Sequence, residues 1–208
     1  MSISFSIKCC AALLVLMTRP APAADVEAGS AAAPADDGGL LAAAPLPALA
    51  DKLALYGQFV GDWDVRITNY PQHGAPTVRQ GEWNFRWALE GRAIQDAFIV
   101  PARGARGQHG AGVKESYGTT LRYYDPQRDE WHITYIDPVY AAQWQMLAHR
   151  RGDEIVQDGR NPDGTPMRWI FFDIRPQSFR WRAEVQDGPG KTWRKEQEFF
   201  ATRKASQG

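Results

Sequence analysis

Asp96 has the surroundings in this sequence that would most alter a side chain's chemistry. The run Gln80 to Leu89 alternates Trp83, Phe85, Trp87 and Leu89 with Glu82, Asn84 and Arg86, and Arg92 to Val100 returns after Glu90-Gly91. Such alternation is the period of a half-buried strand, and Glu-Gly between two such runs is a hairpin turn. With Leu89 opposite Arg92, Trp87 faces Ile94, Phe85 faces Asp96 and Trp83 faces Phe98. A carboxylate ringed by those five apolar side chains loses its water, so it must be paired, protonated or put to use. Arg168 and Lys195 fall on the same expected inward face and are its candidate partners. A structural ion pair, or an Asp96 that points outward, is the plain alternative to a ligand-orienting or acid/base group.

The remaining chemistry-bearing residues are scattered. His73, His109, His132 and His149 show neither H-x-H nor H-x-x-x-H spacing, so no metal site is expected unless the fold brings them together. His132 shares a strand face with Thr134 and reads either as a polar cavity residue or as an ordinary surface histidine. Ser116 and Ser178 lie in no nucleophile elbow, which removes support for serine hydrolase chemistry. Pro101 to Ser116 carries Gly104, Gly107, Gly110 and Gly112 among Arg103, Arg106, His109 and Lys114. Without a strand before and a helix after, those glycines are not a phosphate-binding fingerprint. The stretch reads as a surface loop, or as a lid over a cavity mouth. No cofactor is expected.

These residues must be positioned by what surrounds Phe59 to Tyr70, where an amphipathic segment ends and strands begin. Leu49, Leu53, Leu55, Tyr56 and Phe59 have roughly helical spacing, and Gly61 lets the backbone turn out of that short helix. Trp63, Val65 and Ile67 then alternate with Asp62, Asp64 and Arg66. Further strand-like runs cover 118–124, 131–137, 143–151, 154–158, 167–174, 179–186 and 192–202, separated by turns such as Asp125-Pro126 and Asn161-Pro162-Asp163-Gly164. In the last hairpin, Asp187 to Lys191 as a loop puts Glu184 opposite Arg194, Arg182 opposite Glu196 and Arg180 opposite Glu198. Those charges read as a solvated outer face, with Phe179, Trp181, Ala183 and Val185 behind it. About ten antiparallel strands in consecutive hairpins predict an all-β, up-and-down barrel, since closure removes the edges a long meander would expose. A barrel of that strand number has room inside for a small ligand.

The N-terminus reads as an export signal. Lys8, the apolar run Cys9 to Met17 and the Ala21-Pro22-Ala23 cleavage pattern describe a signal peptide over residues 1–23, too short for a membrane span. Residues 24–45, rich in Ala and Pro, are expected as a disordered linker, 46–203 as the barrel and 204–208 as a tail. A periplasmic or secreted protein follows, and with Cys9 and Cys10 gone it has no disulfide. Loss of Lys8 and Arg19 takes 24 basic residues to 22 against 24 acidic ones, a net charge of −2 that argues against a nucleic-acid partner.

Gly61-Asp62-Trp63 after a short helix resembles the G-x-W start of the calycin superfamily. With Leu89-Glu90-Gly91-Arg92, and with Tyr124-Asp125-Pro126 before Trp131, the chain is similar to bacterial lipocalin-like domains related to nitrobindin and fatty-acid-binding barrels. The resemblance implies that Trp63 plugs one barrel end under a cationic side chain from the final strand, with Arg194, Lys195 and Arg203 as candidates. Nitrobindin-like barrels hold haem on a histidine near the chain end, whereas the last histidine here is His149, which argues against haem by that route. The leading reading is an exported barrel that binds a small apolar or aromatic ligand. Trp83, Phe85, Trp87, Phe98, Tyr123, Tyr135, Trp144 and Trp181 would form its walls and Asp96 its polar anchor. Two others stand beside it: a lyase or isomerase using Asp96 or His132 in the cavity, and a cell-envelope interaction module with a filled barrel.

Overall fold

The computed structural model describes residues 38–105, 115–188 and 190–205. A 3-10 turn, Pro47–Leu49, leads into the helix α1, Ala50–Gly57. Ten strands follow: β1 Gly61–Asn69, β2 Thr77–Ala88, β3 Ala93–Val100, β4 Ser116–Asp125, β5 Glu130–Asp137, β6 Ala142–Arg151, β7 Glu154–Arg160, β8 Pro166–Arg175, β9 Ser178–Gln186 and β10 Trp193–Arg203. Each pairs antiparallel with the next, and β10 closes on β1, so every strand has two neighbours and the barrel has no free edge. Among the described residues no helix is long and apolar enough to cross a membrane.

One end of the barrel is filled. Leu53, Tyr56 and Phe59 enter it from α1 and the turn behind it, and all three are buried. Phe59 packs against Phe85, Phe171 and Phe179, while Tyr56 meets Trp131 edge-on. The Tyr56 hydroxyl is satisfied by Gln157, whose Nε2 donates to it at 2.8 Å. Burial pushes that hydroxyl above its ordinary pKa.

Trp63 sits beside this plug and donates its Nε1–H to the Phe59 carbonyl at 2.7 Å. The cation over its ring is Arg203, 4.1 Å from the centroid, which also donates to the carbonyls of Gln58, Val60 and Pro176. Gly61 makes room for that guanidinium: its φ is 134°, and a Cβ there would collide with it. Of the candidates for this role, Lys195 instead pairs with Glu198 and Arg194 with Asp187 and Glu196.

The second hairpin has the expected register, with Trp87 opposite Ile94, Phe85 opposite Asp96 and Trp83 opposite Phe98. The last hairpin does not. Gln186 pairs with Trp193 rather than Thr192, and a bulge between Lys195 and Gln197 shifts the ladder once more, so that Arg182 lies opposite Glu198. A two-strand argument cannot see the neighbours that satisfy these charges. Glu184 takes both Arg168 and Arg182, and Arg182 also reaches Glu154 on β7. Arg180 and Glu198 still pair, diagonally across the ladder. Arg194, opposite the buried Val185, turns to the inner side at the barrel mouth.

The stretch expected as linker is tied down where it is described. Gly39 accepts from the Leu89 N–H, Ala42 bridges to Trp87, and the Leu46 N–H bonds to the Gly91 carbonyl. The expected signal peptide, the linker up to residue 37 and residues 206–208 lie outside the described residues. So does the 106–114 part of the glycine-containing loop, with His109; its start forms a 3-10 turn, Arg103–Ala105, held by an Arg103–Glu82 ion pair.

Candidate functional site

The other end of the barrel is open and holds a cavity of about 680 Å³. It is lined by a connected set of rings from β3, β5, β6, β8, β9 and β10. Phe98 stacks on Phe199 (5.1 Å between centroids), Phe199 on Trp181 (4.3 Å), and Trp181 meets Trp169 (5.5 Å), which meets Tyr135 (5.3 Å). Trp144 continues the chain beside Tyr135, its Nε1–H donating to Asn161 at 3.2 Å. Trp83 lies at the junction between cavity and plug, stacked on Phe171 below and edge-on to Phe98 and Trp181 above. Period-2 strands put these rings on one face, and among the described residues no helix enters this end as α1 enters the other.

Five of the expected wall residues therefore meet here: Trp83, Phe98, Tyr135, Trp144 and Trp181. Phe85 and Trp87 point inward but too deep. Phe85 belongs to the packed plug, and Trp87 presses on Gly57 and pairs with Ala42 at the closed end. Tyr123 is on the wrong side of the wall. It is 43 % exposed and stacks on His132, ring centroids 5.1 Å apart, so neither faces the cavity.

The phase of β4 explains this. Thr120, Arg122 and Tyr124 point inward and Tyr123 outward, which puts a guanidinium inside the barrel. Sequence patterning disfavours that phase because it buries a charge; Asp96 decides it. Asp96 is 2 % exposed and its Oδ2 receives Arg122 Nη1 at 2.5 Å, while Oδ1 accepts the Thr120 N–H at 3.0 Å. Arg122 is 1 % exposed and lies 5.3–5.7 Å from the rings of Tyr56, Phe85 and Phe171. The expected partners of Asp96, Arg168 and Lys195, instead lie on the outer face with Glu184 and Glu198. Asp96 sits one layer below the cavity, beneath Thr120, and does not line it.

Three carboxylates line it among the described residues: Glu184 and Glu196, both paired with arginines, and the buried Asp137. Ser116 Oγ donates to its Oδ2 at 2.6 Å and the Tyr135 hydroxyl at 3.2 Å, while the Val139 N–H donates to Oδ1 at 3.0 Å. Burial, and after it the charge of Asp137, push the Tyr135 hydroxyl above its ordinary pKa. Alternation from Trp131 through Ile133 and Tyr135 reaches Asp137, so the strand period carried the signal for it.

On the outer wall, Asp125, Glu130 and His132 bring their ligand atoms within 4.8 Å of one another. Arg128 Nη1 already binds Asp125 Oδ2 at 2.8 Å, and that guanidinium opposes a metal cation there. His149 also faces outward, 3.6 Å from Asp158.

No protein-family model matches the chain, and no curated protein does. Solved structures do match in fold. Rv2717c from M. tuberculosis aligns with a TM-score of 0.53 at 12 % identity, over 77 % of this chain and 99 % of its own. The S-type phycobiliprotein lyase from Guillardia theta aligns with a TM-score of 0.48 at 9 % identity, over 74 % of this chain and 93 % of its own. At 12 % identity the likeness to Rv2717c is one of fold alone, and the fold of this chain is a ten-stranded closed antiparallel barrel.

Proposed function

We propose that the protein binds a small, largely aromatic molecule in the open end of its barrel. The observation that carries this is the connected set of rings, Phe98, Phe199, Trp181, Trp169, Tyr135 and Trp144, that lines the cavity. Flat apolar walls with few polar groups select a planar apolar ligand, and polar groups at one side orient it. An acid/base reading on Asp96 or His132 gains no support from this geometry, because neither lines the space a substrate would fill.

N-Phenyl-1-naphthylamine, a neutral fluorescent probe, should bind the purified protein at one site and quench its tryptophans. Trp181→Ala should weaken that binding about tenfold, the scale of one lost aromatic contact of roughly 1.4 kcal/mol. Absence of any probe signal up to its solubility would return the barrel to the filled, partner-binding reading.

The same proposal makes the protein an exported binder, on the strength of Cys9 to Met17 and Ala21-Pro22-Ala23. Expressed with its leader in a bacterial host, the periplasmic protein should have an intact mass that begins at Ala24 or Asp25. Full-length protein confined to the cytoplasm would refute export.

A further inference from the structure

We propose that the cavity selects organic cations, an aromatic amine or ammonium compound, with Asp137 as the counter-charge at its wall. This rests on the cavity being a binding site, as argued above, and names the class of ligand it takes.

Asp137 is 2 % exposed and lines the cavity, yet each donor given to it is neutral: the hydroxyls of Ser116 and Tyr135 and the backbone N–H of Val139. Hydroxyl and amide donors hydrogen-bond a carboxylate without placing a positive charge beside it. None of the ion pairs among the described residues includes Asp137. The contrast within the barrel is direct, since Asp96, just below, is neutralised by Arg122. A charge held uncancelled in a low-dielectric wall projects its field into the adjoining space.

The rings reinforce the same sign. Tyr135 donates to Asp137 and is itself a member of the aromatic belt, so the carboxylate and the first ring face share one site. Trp144 and Trp169 stand beside Tyr135, and the negative faces of indole and phenol rings attract cations. At the mouth the charges do not reverse this. The Arg194 guanidinium is held by Asp187 at 3.0 Å and Glu196 at 3.2 Å, and Glu184 is taken up by Arg168 and Arg182. Arg79, the other cation among the described residues that line the cavity, also has its own partner.

The test is a charge series of similar shape, measured by isothermal titration calorimetry on the mature protein. 1-Methylquinolinium, 1-naphthol and 1-naphthoate carry one bicyclic ring system as cation, neutral molecule and anion. The cation should bind about tenfold tighter than the naphthol, and the naphthoate weakest. Asp137→Asn keeps an acceptor for the Val139 N–H and removes the charge, so it should erase the preference for the cation over the naphthol. Equal affinities across the series, a preference for the naphthoate, or a cation preference that survives in Asp137→Asn would overturn the inference while leaving an aromatic-binding cavity intact. The wild-type series alone decides the sign if the variant does not fold. Failure of all three probes to bind would remove the cavity reading itself, and this inference with it.

Discussion

Arg122→Met should destabilise the protein by about 3–5 kcal/mol, read as a fall in its urea midpoint. The substitution preserves much of the side chain's bulk among Tyr56, Phe85 and Phe171, so a cavity is not the main cost. What remains is Asp96, 2 % exposed, with its charge unanswered. The double variant Arg122→Met/Asp96→Leu should recover most of that loss, because removing both partners removes both desolvation penalties. Recovery is favoured by an imperfection in the native pair: Arg122 Nε is buried with no hydrogen-bond partner. A single-variant cost below about 1 kcal/mol, the range of exposed pairs, would mean that water reaches this layer.

Trp63→Ala should cost a similar amount, about 3–5 kcal/mol, for a different reason. The indole is 1 % exposed, packs edge-on to Phe179 at 4.7 Å, anchors the Phe59 carbonyl and lies under Arg203. Its loss opens a void and leaves the plug without its lateral support. Hydrogen exchange should separate the consequences. Amides of α1 should lose protection far more than those of β6, whose Trp144 lines the cavity at the other end. Uniform loss across the barrel would show that the plug does not open separately.

The fold was legible because alternation, turn residues and the closing charge pattern all imply antiparallel neighbours. Ten strands, the short helix, and the pairing of Phe85 with Asp96 follow from residues close in sequence. The last hairpin was misread because its charges are answered by Arg168 on β8 and Glu154 on β7, outside the two strands the argument considered, and because a bulge shifts its ladder. Tyr123 was placed inside for a related reason. Apolarity is the strongest local cue to strand phase, and it was overruled by one carboxylate on a neighbouring strand that needed a guanidinium beside it. Asp96 was thus correctly marked as a buried charge, and its partner was not found. Asp137 was passed over although the period of β5 reaches it, since no aromatic ring sits across from it in sequence to draw attention there.

The register Trp63–Arg203 joins the first strand to the last residue of the tenth. Chains are made from the N-terminus onward, so β1 and the plug behind it are synthesised long before the strand and the guanidinium that complete them. Loop closure across nearly the whole domain must precede that contact, which makes barrel completion a late event for the nascent polypeptide. Until residue 203 emerges, the ring of hydrogen bonds is open and the closed end has no lid. A chain built this way keeps its barrel open until its last strand has been made.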